Sequence, residues 1–246
     1  MAARQAGLGP VEIRPLRTLE EFQSTLRLQS EIWGFDEADL VAPRLFGVFD
    51  RIGGSCLGAY LGGEMVGFSL AFAAFKPNGR RYWHSHMVGV SPGLHGQGVG
   101  YQIKLRQREE ALAAGLDLIE WTFDPLQSRN AYFNIEKLGV DVQTYLLNFY
   151  GVTSSDLHGA LPTDRLVAAW NLRSPGAVAC LEGRPRPRSE STERVEIPAR
   201  ISDLPREQAA EIQARVRGSF QAAFASGLRV SGFERTAEGG VYHLAA

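Results

Sequence analysis

The segment His95-Gly96-Gln97-Gly98-Val99-Gly100 carries the most chemical information in this sequence. Positions without side chains let the backbone approach a ligand, and several amides can then converge on one anion. A strand pattern precedes the segment and a helical one follows it, so the positive end of the helix adds to the same spot. The pyrophosphate of a coenzyme or nucleotide suits that geometry. Coenzyme A would also bring the amides of its pantetheine arm, which the strand at Ser85–Val90 could pair as if extending a sheet. The loop lacks the lysine and following serine or threonine of nucleotide-hydrolase phosphate loops, and it lacks the glycine pattern of dinucleotide folds. A tight strand-to-helix turn is the bland alternative; the preceding Val88-Gly89-Val90-Ser91-Pro92 favours a cofactor. On the same strand His84 and His86 are two apart and share a face, and imidazole is a suitable base near neutral pH.

Around these residues the pattern predicts strands and helices in alternation. Val11, Ile13 and Leu16 form an entering strand, and Thr18 with Glu21 has the spacing of a capping box. Leu19, Phe22, Leu26 and Trp33 then follow at helical spacing up to Gly34. Cys56–Tyr60 and Met65–Phe75 are strands joined by a glycine hairpin, and Tyr82–Val90 is a third. Tyr101, Leu105, Leu112 and Leu116 place one face of a helix on the core, Leu118–Phe123 returns as a strand, and a shorter helix runs to Gly139. Such a strand–helix–strand unit favours a parallel neighbour. Val142–Tyr150 reads as a further strand. Arg184–Ser191 reads as a linker or exposed crossover. Beyond it, Val195 and Ile197 mark a strand, Ile212, Val216, Phe220 and Phe224 a helix stripe, and Leu228–Phe233 with Val241–Leu244 a terminal hairpin.

The 246 residues, 44% hydrophobic and 22% charged, support a sizeable core and exclude wholesale disorder. Twenty-six basic against 27 acidic residues give a net charge of -1, which offers no electrostatic case for nucleic acid. Cys56 and Cys180 read as buried thiols, and the histidines and cysteines lack zinc-ligand spacing, so no metal is expected. Without a leader-like apolar run in Met1–Pro10, or a run approaching the ~20 residues of a membrane span, a cytoplasmic protein with no membrane association is expected.

Val88–Leu105 resembles the acyl-coenzyme A motif of the GCN5-related N-acetyltransferases (GNAT), and the likeness extends over residues 11–150. His95 stands where arginine or glutamine is usual, and Gly98 and Gly100 match the motif glycines. The resemblance implies a mixed, mostly antiparallel α/β sheet with helices on both faces and a central opening between parallel strands. It implies acetyl-coenzyme A, or another acyl-coenzyme A, as donor. The cradle would be Met87, Val88, Gly89, Val90, Leu94, His95, Gly96, Gln97, Gly98, Val99 and Gly100. The amides at Met87–Val90 would serve as oxyanion donors. Glu120, His84 and His86 are candidate bases, while Asp124 and Asn134 are candidate acceptor-binding residues. The position of the family's tyrosine acid is Ile135, which transfers no proton; Tyr132, one turn earlier, is the substitute to weigh against simple aromatic packing.

Residues 1–183 are thus expected to form the acyl-coenzyme A domain, 184–191 a linker, and 192–246 an extension packed on it, in a monomer or homodimer. The expected reaction is direct acyl transfer to the amine of a small molecule. A noncatalytic acyl-coenzyme A sensor is the alternative.

Overall fold

The computed structural model describes residues 9–151 and 161–246; most of the lead-in expected at Met1–Pro10 lies outside them. Two compact units make up the chain, Met1–Gly115 and Leu116–Ala246.

The first unit opens with β1 (Glu12–Pro15) and α1 (Leu19–Trp33). Thr18 caps α1 reciprocally: its hydroxyl accepts from the Glu21 amide, and the Glu21 carboxylate accepts from the Thr18 amide. Gly34 ends the helix in the left-handed conformation. A helix absent from the sequence reading, α2 (Pro43–Arg51), follows with proline at its start and Phe46 fully buried. β2 (Ser55–Leu61), β3 (Glu64–Phe75) and β4 (Arg81–Val90) then join β1 in an antiparallel ladder ordered β1-β2-β3-β4. Leu16, Phe22, Leu28, Phe46, Phe68 and Leu70 form one apolar cluster in this unit. Ala59, Val66, Val99 and Ile103 form another, which includes α3 (Val99–Ala113).

α3 is rotated from its expected setting. Its buried side carries Val99, Ile103, Lys104, Gln107 and Ala111, while Tyr101, Leu105 and Leu112 are only half-buried. Period alone could not choose, because this helix buries two long polar side chains that an apolar count discards.

The second unit begins with β5 (Leu118–Phe123) and α4 (Ser128–Tyr132), which runs on as a π turn over Phe133–Lys137. Gly139 follows at φ +69°; a Cβ there would lie 2.6 Å from the Gly176 carbonyl oxygen, so glycine is required. The strand expected at Val142–Tyr150 shrinks to β6 (Tyr145–Leu146). Asp164 is the reason: its carboxylate takes the Tyr145 hydroxyl at 2.8 Å and the Asn148 amide at 3.0 Å, and Asn148 turns at φ +40°. β5 and β6 both pair antiparallel with β7 (Arg165–Asn171), and α5 (Pro175–Leu181) follows, capped by Ser174.

The remaining chain forms β8 (Glu193–Pro198), α6 (Arg206–Ala225), β9 (Arg229–Arg235) and β10 (Gly239–Ala245), with β10 central in an antiparallel sheet β8-β10-β9. Tyr242 anchors it: the buried hydroxyl donates to the Pro125 carbonyl at 2.8 Å, and Phe233 and Phe220 pack at 4.7 and 5.0 Å. The fold class is mixed α/β with mostly antiparallel pairing, as predicted. No helix among the described residues is long and apolar enough to cross a membrane.

Candidate active site

Each strand–helix junction of the first unit can be built from its backbone. β4 pairs with β3 in regular register from Phe75↔Arg81 to Ala71↔Ser85, and then slips, because Leu70 faces Met87. His86 is therefore the extra residue of a β-bulge. The bulge leaves His84 and His86 on one face, with ring centroids 6.1 Å apart. It also resets the strand beyond. Met87 joins the cluster of Leu16, Phe22 and Phe68, and Val88 and Val90 join that of Val99 and Ile103. Gly89 lies so close to α1 that a Cβ would stand 2.7 Å from both Ile32 and Trp33.

Beyond Val90 the chain makes a 3-10 turn at Pro92–Leu94 and reaches α3 through Gly96 and Gly98, both at positive φ (+83° and +86°). Leu94 packs against the Val99 and Ile103 cluster and holds the loop's inner side. Two polar side chains of the loop, His95 and Gln97, bind nearby backbone carbonyls. His95 Nε2 donates to the Val90 carbonyl at 2.8 Å, and Gln97 Nε2 donates to the Gly93 carbonyl at 3.0 Å. Gly98, the N-cap of α3, brings no side-chain cap, and the first intrahelical bond runs from Gln102 N–H to its carbonyl. The amides of Val99 and Gly100 precede that bond, at the positive end of the helix. A Cβ on Gly98 would meet nothing within 4 Å, so the cap position itself is open. The cradle thus fits a pyrophosphate through backbone donors and the helix dipole, and His95 acts by bracing the loop.

α3 is tied to β4 by a buried polar contact that sequence reasoning missed. Lys104 Nζ donates to Ser85 Oγ at 2.9 Å and to Gln107 Oε1 at 3.1 Å. Burial pushes the Lys104 ammonium well below the usual lysine range. The helix that presents the cradle is thereby fixed to the strand carrying the histidines. A lysine and a glutamine three apart inside a helical pattern were the only signal available.

Burial holds the His84 pKa at about 4, aided by the cationic character of His86, Lys104 and Lys76. His86 is also lowered by packed surroundings, although its ring keeps an exposed face. Both imidazoles are neutral at physiological pH.

The other predicted residues lie in the second unit. Glu120 is buried on β5 opposite Ala169. Asp124 accepts from the Leu126 amide at 2.8 Å, a turn contact, and desolvation raises its pKa against that bond and the pull of Arg165. Asn134 is buried; its oxygen accepts from Trp121 Nε1 and its amide donates to Asn130, both at 3.3 Å. Ile135 is fully buried. Tyr132 is half-buried and lines an open depression of about 610 Å³ with Glu136, Arg188 and Phe233. The structure therefore brings His84 and His86 together with the bulge and the cradle strand. It gives Asp124 and Asn134 partners inside their own unit.

Residues 18–139 match the model of the acetyltransferase (GNAT) family, and through this domain the chain belongs to that family. Solved structures share its fold at low identity. The ribosomal-protein-S18-alanine N-acetyltransferase of Escherichia coli is 15% identical with a TM-score of 0.53, covering 68% of this chain and 97% of its own. An N-acetyltransferase of Staphylococcus aureus Mu50 is 17% identical with a TM-score of 0.53, covering 67% and 100%. The yncA protein of Salmonella typhimurium, solved with its cofactor acetyl-CoA, is 16% identical with a TM-score of 0.53, covering 69% and 99%. A search of curated proteins finds no significant sequence match. The family's reaction is acyl transfer from acyl-coenzyme A to an amine.

Proposed function

We propose that this protein is an N-acyltransferase acting on the primary amine of a small molecule, with His86 as its general base. The observation that carries the reading is the loop itself. His95 and Gln97 are spent on nearby carbonyls, so an anion is left to the amides at the start of α3. The bound thioester supplies an activated acyl group. The amides around Met87–Val90 orient its carbonyl, and His86 takes the proton of the attacking amine. His86 is favoured over His84 because its ring keeps solvent access, through which the proton can leave, and His84 at about 4 is the weaker base. Glu120 is the second candidate. The near-zero net charge supports a small acceptor over a basic protein tail.

One observation favours a sensor instead: the position of the family's acid is the fully buried, apolar Ile135. Calorimetry with coenzyme A, followed by a mass screen of amine pools for acetyl adducts, separates the two. Adducts establish the transferase; tight coenzyme binding without any adduct leaves the sensor.

We further propose that residues 192–246 are a packed extension of the domain 1–183, joined through 184–191. Support comes from the Tyr242–Pro125 bond and from the Phe233 amide, which donates to Glu136 Oε1 at 2.7 Å. Arg186, inside the joining segment, donates to the Val140 carbonyl at 2.6 Å and pairs with Asp141 at 3.0 Å. A truncation at residue 183 should aggregate; a stable, coenzyme-binding fragment would make the tail an independent module.

A further inference from the structure

Four rings form a continuous row in the first unit: Phe49 of α2, Phe72 of β3, and His84 and His86 of β4. Centroids are 4.9 Å apart for Phe49–Phe72, 5.2 Å for Phe72–His84 and 5.9 Å for Phe72–His86. Phe49, Phe72 and His84 are half-buried and His86 is exposed, so the row presents ring surface to a visitor. Stacked rings at the edge of a core are common, but two features set these apart. The row ends on the bulge, immediately before the Met87–Val90 backbone assigned above to the thioester. The titratable groups acting on His84 are His86, Lys104 and Lys76, none of them acidic.

We propose that this row is the subsite for the body of the acceptor, and that it takes a primary amine carried on an aromatic or branched apolar group. Phe72, in contact with both imidazoles and with Phe49, is the specificity-determining residue. A flat or branched body stacks on the rings of Phe49, Phe72 and His84 and sets the amine beside the exposed His86. A polyamine would lose the hydration of its second ammonium against the rings, and a hydroxylated amine would likewise lose that of its hydroxyl. This inference rests on the acyltransferase reading, and its test distinguishes the two.

Acetyl-coenzyme A-saturated protein is assayed by thiol release with phenethylamine, isopentylamine, ethanolamine and spermidine. In parallel, phenethylamine binding to the coenzyme A-loaded protein is measured by calorimetry. Phenethylamine should exceed ethanolamine and spermidine in kcat/KM by at least about 10-fold. Phe72→Ala should raise KM for phenethylamine about 10-fold with kcat within about 2-fold, and should narrow its kcat/KM advantage over ethanolamine by a similar factor. Should Phe72→Ala lose coenzyme A binding and so report misfolding, Phe72→Leu carries the test with a KM increase of about 3-fold for phenethylamine and none for isopentylamine. Equal or better use of ethanolamine or spermidine would overturn the subsite while acyl transfer stands. Phenethylamine binding that depends on Phe72, without turnover of any amine, would keep the subsite and remove the transferase reading. Neither binding nor turnover would remove both.

Discussion

The loop at Ser91–Gly98 and the strand β4 that feeds it do their work by opposite means. In the loop, the His95 and Gln97 side chains bind nearby carbonyls and the proposed donors belong to the backbone. In β4, the proposed base is a side chain, and the strand's register with β3 slips by one residue at His86. A cradle made of backbone tolerates exchange of its side chains but not of its dihedral angles. A histidine pair tolerates small dihedral change, but not loss of its register or its desolvated surroundings.

The first way to break this contrast is at His86. His86→Gln should lower kcat by about 10² to 10³-fold with coenzyme A affinity held within about 2-fold. A loss of affinity without a loss of kcat would move the residue into the cradle. If Glu120→Gln instead gives the larger drop in kcat, Glu120 is the base. Gly98→Val should follow in size. It forces a β-branched residue to φ +86° at the N-cap, and coenzyme A binding measured by calorimetry should weaken on the order of 100-fold with the thermal midpoint checked for folding. Unchanged affinity would take the pyrophosphate away from this loop.

Gly89→Ala probes the place where both modes meet. Its Cβ would press on Ile32 and Trp33, so β4 must shift, and destabilisation of about 1–3 kcal/mol is expected in urea unfolding. The histidines add a pH signature. A His84 pKa of about 4 in the folded chain, against 6.5 unfolded, means the unfolded chain binds more protons between those values. Stability should therefore rise from pH 4 to pH 6.5 and level off above, and His84→Phe should flatten that rise in thermal midpoints. The smallest effect belongs to Gln97→Ala, which removes an exposed brace; coenzyme affinity should fall by no more than about 5-fold.

The capping box at Thr18, the hairpin at Gly62-Gly63 and the cradle glycines were readable from sequence because each is decided within a few residues by dihedral freedom or one local hydrogen bond. The pairing of His84 with His86 was readable too, since strand alternation places them on one face. The α3 face was not, because Lys104 and Gln107 occupy its buried side through bonds to Ser85 and to each other. Nor was the shortening of Val142–Tyr150, which depends on Asp164 reaching back across 16 residues to Asn148. Phe49 and Phe72 carried no signal of their own; α2 and β3 bring them beside the imidazoles only after the sheet forms. The sequence by itself determined the glycine loop, the cap of α1 and the hairpin at Gly62-Gly63, where the deciding forces act within one turn. Tertiary structure alone decided the buried lysine, the bulge register and the lowered pKa of the histidines. Those depend on desolvation by residues distant in the chain, and no local pattern encodes that.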